Sequence, residues 1–206
     1  MQEILTKAWA ELSRSSPLEQ FATVLGVIGV WLMMRQNLWT FPISLVQVAI
    51  FGWVCFTGRL YSETALQVIF FFALIYGWIL WTRRDGEGGK KDELPVHWLD
   101  WPTRCGWLIA TLALWGVWGY IMVQMKAALP WPDAFVFSTS VAAQVLQSRK
   151  AMENWLGWVI SNTASVWVFW RKEYYWFMVF TVILWFMSWG GWREWSRAMK
   201  KQISHV

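Results

Sequence analysis

The chain has 206 residues, of which 57% are hydrophobic, 15% are charged and 21 are tryptophan, with a formal net charge of +5. Soluble domains carry roughly a quarter charged residues, and several apolar runs here approach the ~20 residues that cross a bilayer. The composition therefore excludes an ordinary soluble domain and predicts an all-α integral membrane protein.

The first fifteen residues lack the continuous apolar run of a cleavable signal. Ile4, Leu5, Ala8, Trp9 and Leu12 instead share one helical face, which predicts an amphipathic helix over 1–15 lying in the membrane interface. Ser16, Pro17 and Glu19 then form a helix start: a capping serine, a proline at the first helical position and a capping-box glutamate. Seven spans are expected from there, over 17–34, 38–57, 62–82, 104–126, 133–148, 154–170 and 174–192. The stretch "RRDGEGGKKDE" from Arg83 to Glu93 reads as a solvated, mobile linker. Cys55 and Cys105 make neither a metal spacing nor a disulfide framework. The net positive charge is ascribed to topology, because no basic, aromatic-interleaved patch supports binding to nucleic acid.

The fifth span, "DAFVFSTSVAAQVLQS", is too polar for hydropathy to identify, but an internal repeat identifies it. At an ungapped offset of 114 residues, Arg35 meets Arg149, Tyr61 meets Tyr175, and Gly77, Trp78 and Trp81 meet Gly191, Trp192 and Trp195. Each copy holds three spans and one span lies between them. A three-plus-one-plus-three layout makes the copies parallel, related by an axis along the membrane normal. The expected division is 16–82 for the first triplet, 83–103 for a cytoplasmic loop, 104–126 for the linking span, 127–195 for the second triplet and 196–206 for a cytoplasmic tail. Lys7, Arg14, Arg59, Lys126, Arg171 and Lys172 fall on one side, and twice as many Lys and Arg on the other, among them Arg35, Arg83, Arg149 and Lys150. The richer side is expected to be cytoplasmic, with the N-terminus outside and the C-terminus inside.

Polar groups at membrane depth are expensive unless they face protein or a water-filled cavity. Trp155, Trp158, Asn162 and Ser165 step along one face of the sixth span, and Ser140, Gln144 and Gln147 along one face of the fifth. Gln67 lies in the third span, and Ser44 with Gln47 in the second. The first copy holds Val48 where the second holds Asn162, and Val30 where it holds Gln144. This asymmetry predicts one site at the boundary of the two triplets. Mid-span positions carry no Lys, Arg, Asp or Glu, which disfavours a phosphorylated ligand. Indole faces stack on flat rings and stabilise cations, while amides bond hydroxyls and carboxamides. The expected ligand is small, flat, uncharged or cationic, and rich in hydroxyl or amide groups. The plainer alternatives are belt tryptophans at span ends, read so for Trp39, Trp81, Trp107, Trp170, Trp192 and Trp195 and open for Trp155 and Trp158, and interhelical hydrogen bonding for Asn162, Gln144 and Gln147. No pairing of nucleophile and base, and no metal-ligand set, lies in the spans, so no catalytic residue, metal or cofactor is expected.

The motif Glu153-Asn154-Trp155-x-x-Trp158 resembles the PnuC vitamin transporters of bacteria, as do Arg35-Gln36-Asn37, Gly58-Arg59-Leu60-Tyr61 and Tyr76-Gly77-Trp78. That family is similar in architecture to the SWEET sugar transporters. The resemblance implies uptake of nicotinamide riboside across the bacterial inner membrane by facilitated diffusion, followed by trapping through a separate cytoplasmic kinase. It further implies a homotrimer, and a substrate site at Trp155 and Trp158. Asn162, Gln144, Gln67, Gln147 and Asn154 complete the candidate set. Thiamine, riboflavin and sugars are the alternative substrates.

Overall fold

The computed structural model describes residues 2–83 and 94–203. Among them lie eight helices and no strand beyond an isolated bridge: α1 Gln2–Arg14, α2 Pro17–Met34, α3 Thr40–Thr57, α4 Tyr61–Thr82, α5 Trp101–Gln124, α6 Pro130–Ser148, α7 Glu153–Arg171 and α8 Tyr175–Ile203. The start of α2 follows from local chemistry: Ser16 Oγ accepts from the Glu19 amide at 3.2 Å and Pro17 opens the helix.

Tight helix ends set the path of the chain. Gln36 and Lys150, offset by 114 residues, both take a left-handed conformation (φ 54° and 56°), as do Arg59 and Glu173 (φ 58° and 61°). Behind each, an amide reaches back to the preceding helix. Asn37 bonds Leu32 O and Ala151 bonds Leu146 O, both at 3.0 Å; Leu60 bonds Cys55 O and Tyr174 bonds Phe169 O, both at 2.9 Å. These backbone bonds occupy the carbonyls that a helix end leaves open, and they make consecutive helices antiparallel neighbours.

The helices α2, α3, α4, α6, α7 and α8 pack in that order into a ring, closed where α8 returns to α2. The helix α5 lies outside against α6, and α1 outside against α8. Five helices are long and apolar enough to cross a membrane, namely α2, α3, α4, α5 and α8. The helices α6 and α7 are diluted by the polar residues they turn inward, including Ser140, Gln144 and Gln147, and Ser161, Asn162 and Ser165, all buried. Outward faces stay apolar, as at Phe72, Ile79, Leu108, Ile109 and Phe186.

One end of the ring is closed by a reciprocal clamp. Trp81 Nε1 donates to Ser148 O at 3.0 Å, and Trp195 Nε1 donates to Met33 O at 3.1 Å. The two indoles thus tie α4 to α6 and α8 to α2. Phe41 meets Trp81 edge-on at 5.1 Å, and at the offset positions Trp155 meets Trp195 edge-on at 5.3 Å. Such geometry suits the ring quadrupoles and adds about 0.5–1.5 kcal/mol per pair beyond burial. The glycines at 77 and 191 make room for these rings: a Cβ on Gly77 would lie 3.0 Å from the Phe41 ring, and one on Gly191 would collide with Trp155.

Three expectations need correction. Trp81 and Trp195 are not belt residues; Trp195 is fully buried and Trp81 is 9% exposed, because their indole N–H groups bond carbonyls of α6 and α2. The last helix does not stop near 192 but runs to Ile203, since Trp195 and Met199 continue its inward face into the core. The helices α5 and α6 begin at Trp101 and Pro130, each three residues before the expected start. The expected solvated linker, 83–93, lies outside the described residues from 84 onward. After it the chain is anchored: Val96 is buried, the His97 amide bonds Lys150 O at 3.3 Å, and His97 O accepts from the Met152 amide at 2.9 Å.

Gly191→Ala must displace a fully packed indole, and overpacking of that kind costs about 1–3 kcal/mol. Gly106 has nothing within 4 Å of its would-be Cβ. Thermal unfolding in detergent should show a lowered Tm for Gly191→Ala and an unchanged or raised Tm for Gly106→Ala. Equal Tm values for the two variants would contradict the packing described.

Candidate functional site

Two cavities lie on the axis of the ring, of about 180 and 160 Å³. Both are lined by Phe51, Gln67, Phe70, Trp158, Asn162, Phe180 and Leu184, which form a waist between them. The first cavity extends toward the indole clamp and adds Gln144, Gln147, Trp155, Ser44, Gln47 and Ser188. The second extends toward the opposite end and adds Ser140, Ser161, Ser165, Glu63 and Asp133.

Of the sequence candidates, Trp155, Trp158, Asn162, Gln144, Gln67 and Gln147 all line the first cavity. Asn154 lines neither. It is fully buried, and its Nδ2 donates to Ala151 O at 2.6 Å, so it fastens the α6–α7 turn. Its neighbour Glu153 has a similar framing role. One carboxylate oxygen accepts from the Leu99 amide at 3.1 Å and from Arg104 Nε at 2.7 Å, tying the start of α5 to the start of α7.

Pairs related by the offset of 114 residues face each other across the first cavity: Val30 and Gln144, Met33 and Gln147, Ser44 and Trp158, Val48 and Asn162. In each pair the second triplet supplies the group able to recognise a ligand, an amide or an indole. The polar side chains fall into two sets. Ser148 Oγ donates to Ala73 O at 2.8 Å, the Ser140 and Ser161 hydroxyls bond each other, and Ser165 Oγ donates to Ser161 O at 2.9 Å. Those groups are satisfied within the protein. The donors Trp155 Nε1, Trp158 Nε1 and Gln144 Nε2 are buried without a partner. An unmet buried donor carries a desolvation penalty of about 1–3 kcal/mol, and the three residues that hold these donors all line the first cavity.

Asn162 Nδ2 reaches Ser188 Oγ at 3.3 Å, and Ser188 Oγ in turn donates to Leu184 O at 2.8 Å. Ser188 thereby sets the Asn162 amide plane. Ser188, Phe180 and Leu184 escaped the sequence reading because they lie in an unbroken apolar run; their spacing of four was the only available signal. Among the described residues, no Lys or Arg lines either cavity. At the far end of the second cavity Lys172 Nζ lies 2.9 Å from Asp133 Oδ1 and 3.5 Å from Glu63 Oε1. Burial alone would lower the Lys172 pKa; the Glu63 and Asp133 carboxylates outweigh it, so the pKa is raised and the ammonium stays charged.

Replacing Gln144 by Leu removes an unmet buried donor at similar volume. The Gln144→Leu variant should keep or gain stability in the ligand-free state, by about 1 kcal/mol, while losing affinity for a polar ligand. Thermal unfolding with and without ligand measures both; a large loss of ligand-free stability would show that this amide has a structural partner.

The model of the family described as "Nicotinamide mononucleotide transporter" matches residues 16–197 of this chain. The chain is 30% identical to the nicotinamide riboside transporter PnuC of Escherichia coli, over 92% of this chain and 89% of that protein. It is 28% identical to the riboflavin/roseoflavin transporter RibM of Streptomyces davaonensis, over 72% of this chain and 70% of that one. A crystal structure of the vitamin B3 transporter PnuC superposes with a TM-score of 0.76 at 20% identity, covering 96% of this chain and 88% of that chain, which establishes a common fold. The chain is a multi-pass membrane protein and belongs to the nicotinamide mononucleotide transporter family, the PnuC family of membrane transporters.

Proposed function

We propose that this protein carries nicotinamide riboside across the bacterial inner membrane by facilitated diffusion. The observation that carries the reading is the first cavity, where three unmet donors, from two indoles and an amide, stand beside Gln67, Gln147 and Asn162. Nicotinamide riboside offers complementary groups: a flat cationic ring for the indole faces, and a carboxamide and ribose hydroxyls for the amides. Trp155, Trp158, Asn162, Gln144, Gln67 and Gln147 are the binding residues in this reading, and Asn154 holds the turn behind them. A phosphorylated nucleotide is disfavoured, because it would enter a cavity with no Lys or Arg among its described lining residues and pass the Glu63 and Asp133 carboxylates. Relatives named as nicotinamide riboside transporters support the same substrate.

In this reading seven helices, α2 to α8, cross the bilayer as two parallel triplets joined by α5, and α1 lies in the interface. The inward-facing polar stripes of α6 and α7 explain how two helices of low hydropathy can do so. The indole clamp lies at the end richer in Lys and Arg, taken as cytoplasmic, and the N-terminus is periplasmic. The two triplets rock about the central ligand, and phosphorylation by a cytoplasmic kinase traps it. Assembly as a homotrimer follows the family resemblance. The Streptomyces relative favours riboflavin as a second reading; a flavin would need both cavities joined through the waist of Phe51, Phe70, Trp158 and Phe180.

The test is uptake of labelled nicotinamide riboside and, separately, of labelled riboflavin into energy-free proteoliposomes. Stacking on an aromatic ring contributes about 1–3 kcal/mol, so Trp158→Ala should lower uptake by about 5- to 150-fold at sub-saturating substrate while folding normally. A protonophore should leave the initial rate unchanged. Unaffected uptake by Trp158→Ala would remove this indole from the pathway, and uptake of labelled riboflavin without uptake of nicotinamide riboside would favour the second reading.

A further inference from the structure

The geometry points to the Lys172–Glu63 ion pair as the gate at the end of the pathway opposite the indole clamp. This inference rests on the reading of the two helix triplets as moving units.

Three charged side chains form a layer between the second cavity and the exterior. Lys172, at the C-terminal cap of α7, is 15% exposed; Asp133, in the first turn of α6, is 8% exposed; and Glu63, in the first turn of α4, is 23% exposed. Glu63 and Asp133 line the cavity directly. The two ion pairs differ in what they join. Lys172 and Asp133 both belong to the second triplet, and their 2.9 Å contact is internal to it. Glu63 belongs to the first triplet, so the 3.5 Å contact with Lys172 crosses the α4/α6 boundary. When the triplets separate at this end, the internal pair moves as a unit and the crossing pair breaks. Lys172 keeps a carboxylate partner throughout, so opening never strands a buried ammonium, the event that makes breaking a buried ion pair so unfavourable.

The opposite end of the same boundary is built differently. There Trp81 Nε1 bonds Ser148 O at 3.0 Å and Ser148 Oγ bonds Ala73 O at 2.8 Å, around packed rings, and the Lys150 ammonium stands 4.3 Å from the centre of the Trp81 ring. Of the three layer residues only Asp133 has a charged counterpart at the repeat-related position, Glu19; Lys172 corresponds to Gly58 and Glu63 to Phe177. The pair that crosses the boundary is therefore not repeated by these residues on the α2/α8 side.

The test is the labelling rate of a cysteine placed beneath the layer. Ser165 lines the second cavity; Ser165→Cys is made in a chain with Cys55 and Cys105 replaced by Ala, solubilised in detergent and exposed to a charged methanethiosulfonate reagent. Adding Glu63→Gln removes only the crossing pair and should speed labelling about tenfold, the effect of a ~1.4 kcal/mol shift toward the open state. Glu63→Asp retains the charge, draws the carboxylate away from Lys172 and should also speed labelling, which covers the case of a Glu63→Gln chain that does not fold. Asp133→Asn leaves the crossing pair intact but deprives the open state of the partner that holds Lys172, so it should label no faster than the parent and slower if opening is the limiting step; Lys172→Arg restores the charge and should label at the parent rate. Parent-rate labelling in folded Glu63→Gln or Glu63→Asp protein, or equal acceleration by Asp133→Asn, would overturn the gate. No substrate enters this experiment, so its failure leaves the nicotinamide riboside reading standing. Conversely, acceleration with no riboside uptake would keep the gate and remove the substrate.

Discussion

A polar side chain removed from water must be bonded inside the protein or face something that will bond it. That constraint organises this molecule. Its six-helix ring turns serines, glutamines and an asparagine inward, and most of them are consumed at once by neighbouring carbonyls and hydroxyls, as at Ser148, Ser161 and Ser188. Trp155, Trp158 and Gln144 keep donors with no partner, and all three border the same cavity. A structure built for stability alone would fill these positions with apolar side chains. The unmet donors carry the proposed ligand chemistry, and the lack of Lys or Arg among the described lining residues carries the disfavour of phosphate.

The molecule also separates what repetition supplies from what asymmetry supplies. The left-handed residues at 36 and 150, the edge-on rings at 41/81 and 155/195, and the paired indole N–H bonds recur at one offset. These contacts hold helices together and need no ligand. Amides and indoles differ instead between the copies: Val30 and Val48 are answered by Gln144 and Asn162, while Ser44, Gln47 and Gln67 also line the cavity from the earlier helices. The ion pair of Lys172 with Glu63 is likewise not repeated at the offset positions.

Much of this was legible in the sequence, for identifiable reasons. The positions of the helices followed from apolar length and from one ungapped repeat, which located α6 where hydropathy alone could not. The inward stripe of α7 followed from helical spacing, because polar residues among apolar ones stand out. Ser188 did not, since one hydroxyl in the tryptophan-rich α8 resembles ordinary helix-packing serine until Asn162 is found beside it. Trp81 and Trp195 misled for the opposite reason: tryptophan near a span end is common at the membrane interface, and only a tertiary partner shows that these two are clamps. Asn154 shared a motif with the site residues, yet adjacency along a helix places it on a different face from Trp155.

The central claim is that an uncharged cavity of indoles and amides, with carboxylates beyond it and no lysine or arginine among the described residues of its walls, selects a cationic nucleoside. Calorimetric titration of the purified protein with nicotinamide riboside and, separately, with its 5′-phosphate tests that claim most directly. The account predicts saturable binding of the riboside, weakened by Asn162→Leu, and no measurable heat from the phosphate. Tighter binding of the phosphate than of the riboside would contradict it.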